Sequence, residues 1–156
     1  MEVKKLRLLP IICLLGSVAS AGTNSYLMAD VEKLPIDIRI IRNCGNWQHE
    51  GQEGYYRLIV GDVHEAAGSE LYVQWISNPS QERRSAIVTT TPIIELNDDH
   101  NQYYLSSVEC KTVGKSTYIM VTGLYEHDQG NQIHKISVKL FGLGKYKLDE
   151  KVKRHR

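Results

Sequence analysis

The stretch Tyr103–Leu140 reads YYLSSVECKTVGKSTYIMVTGLYEHDQGNQIHKISVKL, and it decides the fold class. Its final run is the clearest part. Ile136, Val138 and Leu140 alternate with Lys135, Ser137 and Lys139, the period of two that buries one face of a strand. Ahead of it, Tyr103–Lys111 and Ser116–Tyr125 flank Thr112-Val113-Gly114-Lys115, a tight hairpin signal. Gln129-Gly130-Asn131 turns the chain between the second and third runs. Parallel neighbours would need a crossover of a dozen residues or more, usually a helix. The connections here are too short, so these strands pair antiparallel.

The same grammar extends in both directions. Upstream, Ile36, Ile38 and Ile40 alternate with Asp37 and Arg39, and Tyr55–Val60 is bounded by Gly54 and Gly61. Glu70–Ile76 (ELYVQWI) is apolar on both sides, as a central strand would be, and Asn78-Pro79-Ser80 ends it. Ala86–Leu96 is β-branched, but Pro92 lacks a donor, so this strand is an edge or bends near Pro92. Downstream, Gly142 and Gly144 bracket a corner before a last short strand, Lys145–Leu148. Asp62–Gly68 is weakly helical and too short to nucleate alone. The expectation is an all-β, single-domain antiparallel β-sandwich or barrel of about 7–8 strands.

The N-terminus reads as an address. Lys4, Lys5 and Arg7 precede the apolar run Leu8–Leu15, and Ala19-Ser20-Ala21 offers small residues for cleavage. Residues 1–21 are therefore expected to be a signal peptide removed near Ala21. Residues 22–33 form a flexible lead-in, 34–149 the β domain and 150–156 a basic tail. The apolar run is shorter than the roughly 20 residues that span a bilayer, so no transmembrane segment is expected. Cleavage removes Cys13. Cys44 and Cys110 then remain in an oxidising compartment, periplasmic or secreted, where a disulfide between them is the default.

The whole chain carries a net charge of +1. The leader accounts for +2 (three basic residues, one acid) and the four basic residues from Lys151 to Arg156 for +4, leaving residues 22–150 at −5. An acidic body lacks the basic face of a nucleic-acid binder. The expected partner is a protein, cationic in the narrower reading, and not nucleic acid.

No catalytic signature stands out. There is no G-x-S-x-G and no H-E-x-x-H. His49, His64, His100, His127 and His134 are the candidate bases, and three of them, His64, His100 and His127, sit in acidic neighbourhoods, but polar turns account for that. No metal or cofactor is expected. Adjacent tyrosines on a strand point to opposite faces. Tyr55 and Tyr103, with Trp47 and His49 in a polar loop Gly45–Gly54, are the candidate binding residues. The reading is an exported, non-catalytic binding module of the bacterial envelope that contacts another protein, of inhibitor, immunity or assembly type. The alternative is a small envelope hydrolase with a metal or carboxylate site in the loops of His64 and His100.

Overall fold

The computed structural model describes residues 30–63, 68–81, 83–98, 103–125 and 132–153. The chain divides into two compact units, residues 1–34 and 35–156. The expected leader, most of the lead-in and the end of the tail lie outside the described residues. So do His64, His100 and His127.

The larger unit holds eight strands: β1 (Ile38–His49), β2 (Gln52–Val63), β3 (Gly68–Ser77), β4 (Ile87–Pro92), β5 (Tyr103–Val113), β6 (Ser116–Tyr125), β7 (Ile133–Leu140) and β8 (Tyr146–Lys153). They form two antiparallel sheets, β1-β2-β3-β4 and β5-β6-β7-β8. Each sheet is a simple meander of strands adjacent in sequence, so the chain is an all-β sandwich. Pro92 closes edge strand β4, where its missing donor costs no ladder bond.

Three local readings change. The segment Gly45–Gly54 is not a loop: β1 continues to His49 and pairs with β2 down to His49↔Gln52. The turn is only Glu50-Gly51, with φ of 48° and 77°, the two positive values of a type I′ hairpin. The end of the expected Ala86–Leu96 strand instead forms a single helical turn, α1 (Ile94–Asn97), because Pro92 stops the ladder and Leu96 buries itself by turning inward. Finally, β8 runs through Lys153, so residues 150–153 of the expected tail are strand.

The inner faces follow the alternation. Tyr56, Leu58 and Val60 of β2 and Leu71, Val73 and Trp75 of β3 meet Leu105, Ile119, Val121, Ile136 and Val138 of the second sheet in one core. Tyr56 and Trp75 pack edge-to-face, ring centroids 5.4 Å apart.

Two seams close the sandwich. On one side, β5 lies beside β1 and runs in the same direction, with no ladder between them. Cys44 and Cys110, 66 residues apart in sequence, form a disulfide across this seam. Arg39 donates to the Leu105 carbonyl (2.6 Å), and Arg42 to that of Val108 (3.2 Å). The Leu105 N–H donates to the Ser69 hydroxyl at 3.2 Å. Side chains thus satisfy an edge strand that would otherwise offer free backbone groups to another chain. Arg39 is itself held by Asp62 at 3.2 Å. On the other side, the Trp75 indole donates to the Gly142 carbonyl at 2.8 Å. The Tyr146 hydroxyl accepts from the Ile94 N–H (2.9 Å) and donates to Glu95 (2.7 Å).

Candidate functional site

Trp47 is 5% exposed. Its indole N–H is shared between the carbonyls of Tyr55 (3.1 Å) and Ile76 (3.2 Å). It therefore belongs to the core and does not stand out as a tip. It reaches only the floor of a cleft of about 610 Å³ at one end of the sandwich, rimmed by Glu53, Lys115, Lys139 and Phe141. His49 does sit at the hairpin end, partly exposed, 3.7 Å from Glu50.

The tyrosine pairs divide as alternation requires, but not always in the expected order. Tyr56 points inward and Tyr55 outward. In the second pair Tyr103 is the inward residue at 9% exposure, and Tyr104 the outward one at 48%. The cause is a bulge between Leu105 and Ser107, which reverses the parity of β5 upstream of Val108 and Cys110. Tyr103 instead joins a buried cluster. Its hydroxyl donates to Glu150 (3.0 Å), which also lies 2.5 Å from Nδ1 of the buried His134. The His134 ring packs edge-on against Tyr103 and Tyr125. This cluster fastens β7 to β8 and β5 to β6.

Tyr55 lies on the outer face of the first sheet, and the register shows its surroundings. One cross-strand row is Tyr55–Ile76–Ile87 and another is Ile41–Ile59–Tyr72–Pro92. Between them runs a polar row, Asn43–Arg57–Gln74–Thr90. That row is tied internally: Arg57 donates to Gln74 (2.8 Å) and Gln74 to Thr90 (3.2 Å). Ile76, in the first row, is itself only 3% exposed, so the apolar surface of this face comes from Ile41, Ile87 and the half-buried Tyr55, Ile59 and Tyr72, with the polar row between them. Ile41 is 46% exposed and Ile87 54%. Tyr72 donates to Glu70 at 2.6 Å, and that bond to a carboxylate, ahead of burial, pushes the Tyr72 hydroxyl up to about 12.

The outer face of the second sheet is different in kind. Its rows are Lys111–Tyr118–Lys139–Lys147, then Glu109–Met120–Ser137–Asp149, then Ser107–Thr122–Lys135–Lys151. Lys139 directly opposes Lys147, and Lys135 opposes Lys151. Residues 103–125 and 132–153 hold eight lysines against three acids and no arginine, and one of those acids, Glu150, points inward. An average over residues 22–150 hides this polarity. Divided by sequence halves, residues 22–98 carry eleven acids and six bases, and residues 99–156 six acids and ten bases. Charge counted by halves would have found it.

Among the described residues no group of three or more His, Cys, Asp or Glu is arranged to hold a metal, and no helix is long and apolar enough to cross a membrane. Compared with known protein families, curated proteins and solved structures, the chain matches none.

Proposed function

We propose that the chain is an exported, non-catalytic binding module that docks another protein on the outer face of its first sheet. The observation that carries this reading is the pair of apolar rows through Tyr55 and Ile59. In an antiparallel sandwich the outward residues are ordinarily polar, so the exposed Ile41 and Ile87 beside the half-buried Tyr55, Ile59 and Tyr72 stand out on this outer face as an interaction surface. Tyrosine and isoleucine flanking an internally bonded polar row give a core of low desolvation cost. The excess of acid in residues 22–98 favours a partner with a basic rim. The disulfide supports an oxidising, extracytoplasmic setting, periplasmic or secreted. An inhibitor, immunity or assembly role suits such a module.

The test is affinity capture from an envelope fraction with the wild-type chain and with Tyr55→Ser/Ile59→Ser/Ile87→Ser. The partner is expected to be lost with the triple variant while its circular dichroism stays native. A partner retained in full by the folded triple variant would refute this site.

A further inference from the structure

We propose that the outer face of the second sheet is a docking surface for an anionic lipid membrane. The argument begins with a cost. Like charges directly opposite on neighbouring strands destabilise a sheet, and this face keeps two such pairs, Lys139↔Lys147 and Lys135↔Lys151. One acid offsets one of them weakly: Asp149 lies 3.8 Å from Lys147, both largely exposed. Among the described residues, no carboxylate forms an ion pair with Lys111, Lys135, Lys139 or Lys151. A lattice of unneutralised cations is complementary to anions supplied from outside.

The shape of the lattice selects the occupant. From Lys111 to Lys147 the face spans three strand spacings, about 14 Å, and from Lys139 to Lys135 about 13 Å along the strand. The charges therefore spread over two dimensions of a sheet, as lipid headgroups do. A single-stranded polyanion would be tracked by a basic groove with aromatic platforms, whereas the ring of Tyr118 on this face lies beneath the Lys139 ammonium, 5.9 Å away. The strands of this face carry lysine and no arginine, the one guanidinium at its margin being that of Arg39 over Tyr104. Lysine acts as a point charge, while arginine is the residue of bidentate phosphate and base recognition. Met120 is exposed between the lysine rows and Leu124 beside them, next to the Lys135–Lys151 row, both placed to enter the headgroup boundary. This inference is independent of the partner face on the first sheet.

Co-sedimentation of the purified chain with vesicles of mixed phosphatidylglycerol and phosphatidylcholine tests it. Binding is expected, with none to pure phosphatidylcholine, and it should fall as salt is raised. Each lysine near an anionic surface contributes about a fivefold factor, so Lys135→Glu/Lys139→Glu should weaken binding about 25-fold or more. The same variant converts both like-charge pairs into opposite-charge pairs, so its melting temperature should hold or rise. A fall in binding alongside retained stability separates docking from misfolding. Three results would overturn the proposal: equal binding to neutral vesicles or none to anionic ones; unchanged binding by the lysine variant with loss on Arg154→Ala/Arg156→Ala; or duplex DNA displacing the vesicles through the same lysines.

Discussion

Replacing Gly45 by alanine should destabilise the fold by about 2–5 kcal/mol, and the structure separates that figure into two parts. Gly45 sits at the β1 bulge with φ of 55°. A residue bearing a side chain pays about 1–2 kcal/mol for left-handed backbone. The second part is steric. A Cβ here would lie 2.4 Å from Thr117 Oγ1 and 2.9 Å from its Cγ2, about 1 Å inside the 3.4 Å at which ordinary contact begins. Overpacking of this kind typically costs about 1–3 kcal/mol. Thr117 is buried on β6 of the opposite sheet, so at this bulge β1 packs directly against the other sheet beside the disulfide. The two parts can be measured separately by guanidinium unfolding of the oxidised protein, reading midpoints at constant m. Thr117→Ala added to Gly45→Ala should recover the steric part and leave about 1–2 kcal/mol, a coupling that a double-mutant cycle isolates. Gly45→Asn should recover only part of the backbone cost, because asparagine tolerates left-handed φ. Gly45→Ala within about 0.5 kcal/mol of wild type, or no coupling to Thr117, would refute this account of the seam.

Converting Cys44 and Cys110 to alanine should cost about 4 kcal/mol by loop-closure entropy across 66 residues; denaturant unfolding of the double variant reads it, and a loss under about 1 kcal/mol would contradict it. Both tryptophans are buried, so emission should be blue-shifted and resist acrylamide quenching; a readily quenched fraction would mean that Trp47 is outside after all. Because Tyr72 is held up to about 12 by Glu70, its neutral form stabilises the fold below pH 10, and that contribution disappears between pH 10 and 12. Ultraviolet titration should show a late tyrosinate step that Glu70→Gln moves down; an unmoved step would rule out the carboxylate as the cause.

The strand order of the molecule was largely written in its alternation, because a strand with one buried face must repeat every two residues. Lys135–Leu140 is legible for that reason, and Glu70–Ile76 because a strand with neighbours on both edges is apolar on both faces. Alternation fails where a strand gains a residue. The bulge at Gly45 made a continuous strand look like a loop and placed Trp47 outside, and the bulge before Ser107 exchanged Tyr103 for Tyr104. Both errors have one physical origin: a bulge reverses parity without changing composition. That one of Tyr55 and Tyr56 faces outward is legible, but which one it is, and its neighbours Ile41 and Ile87 from other strands, needed the register. The lysine lattice was hidden differently, by averaging a basic second half of the chain with an acidic first half.

The seam between β1 and β5 carries a consequence for the order of folding. Every ladder among the described residues joins strands consecutive in sequence, so each meander closes only short loops and can form early. Cys44 and Cys110 belong to different meanders and meet only when the sheets dock. Their oxidation is therefore a clock for docking. During refolding in an oxidising buffer, loss of free thiols should lag the strand signal in circular dichroism. Thiol loss that precedes strand formation would show that the covalent bond gathers the sheets, when the geometry has the sheets gather the bond.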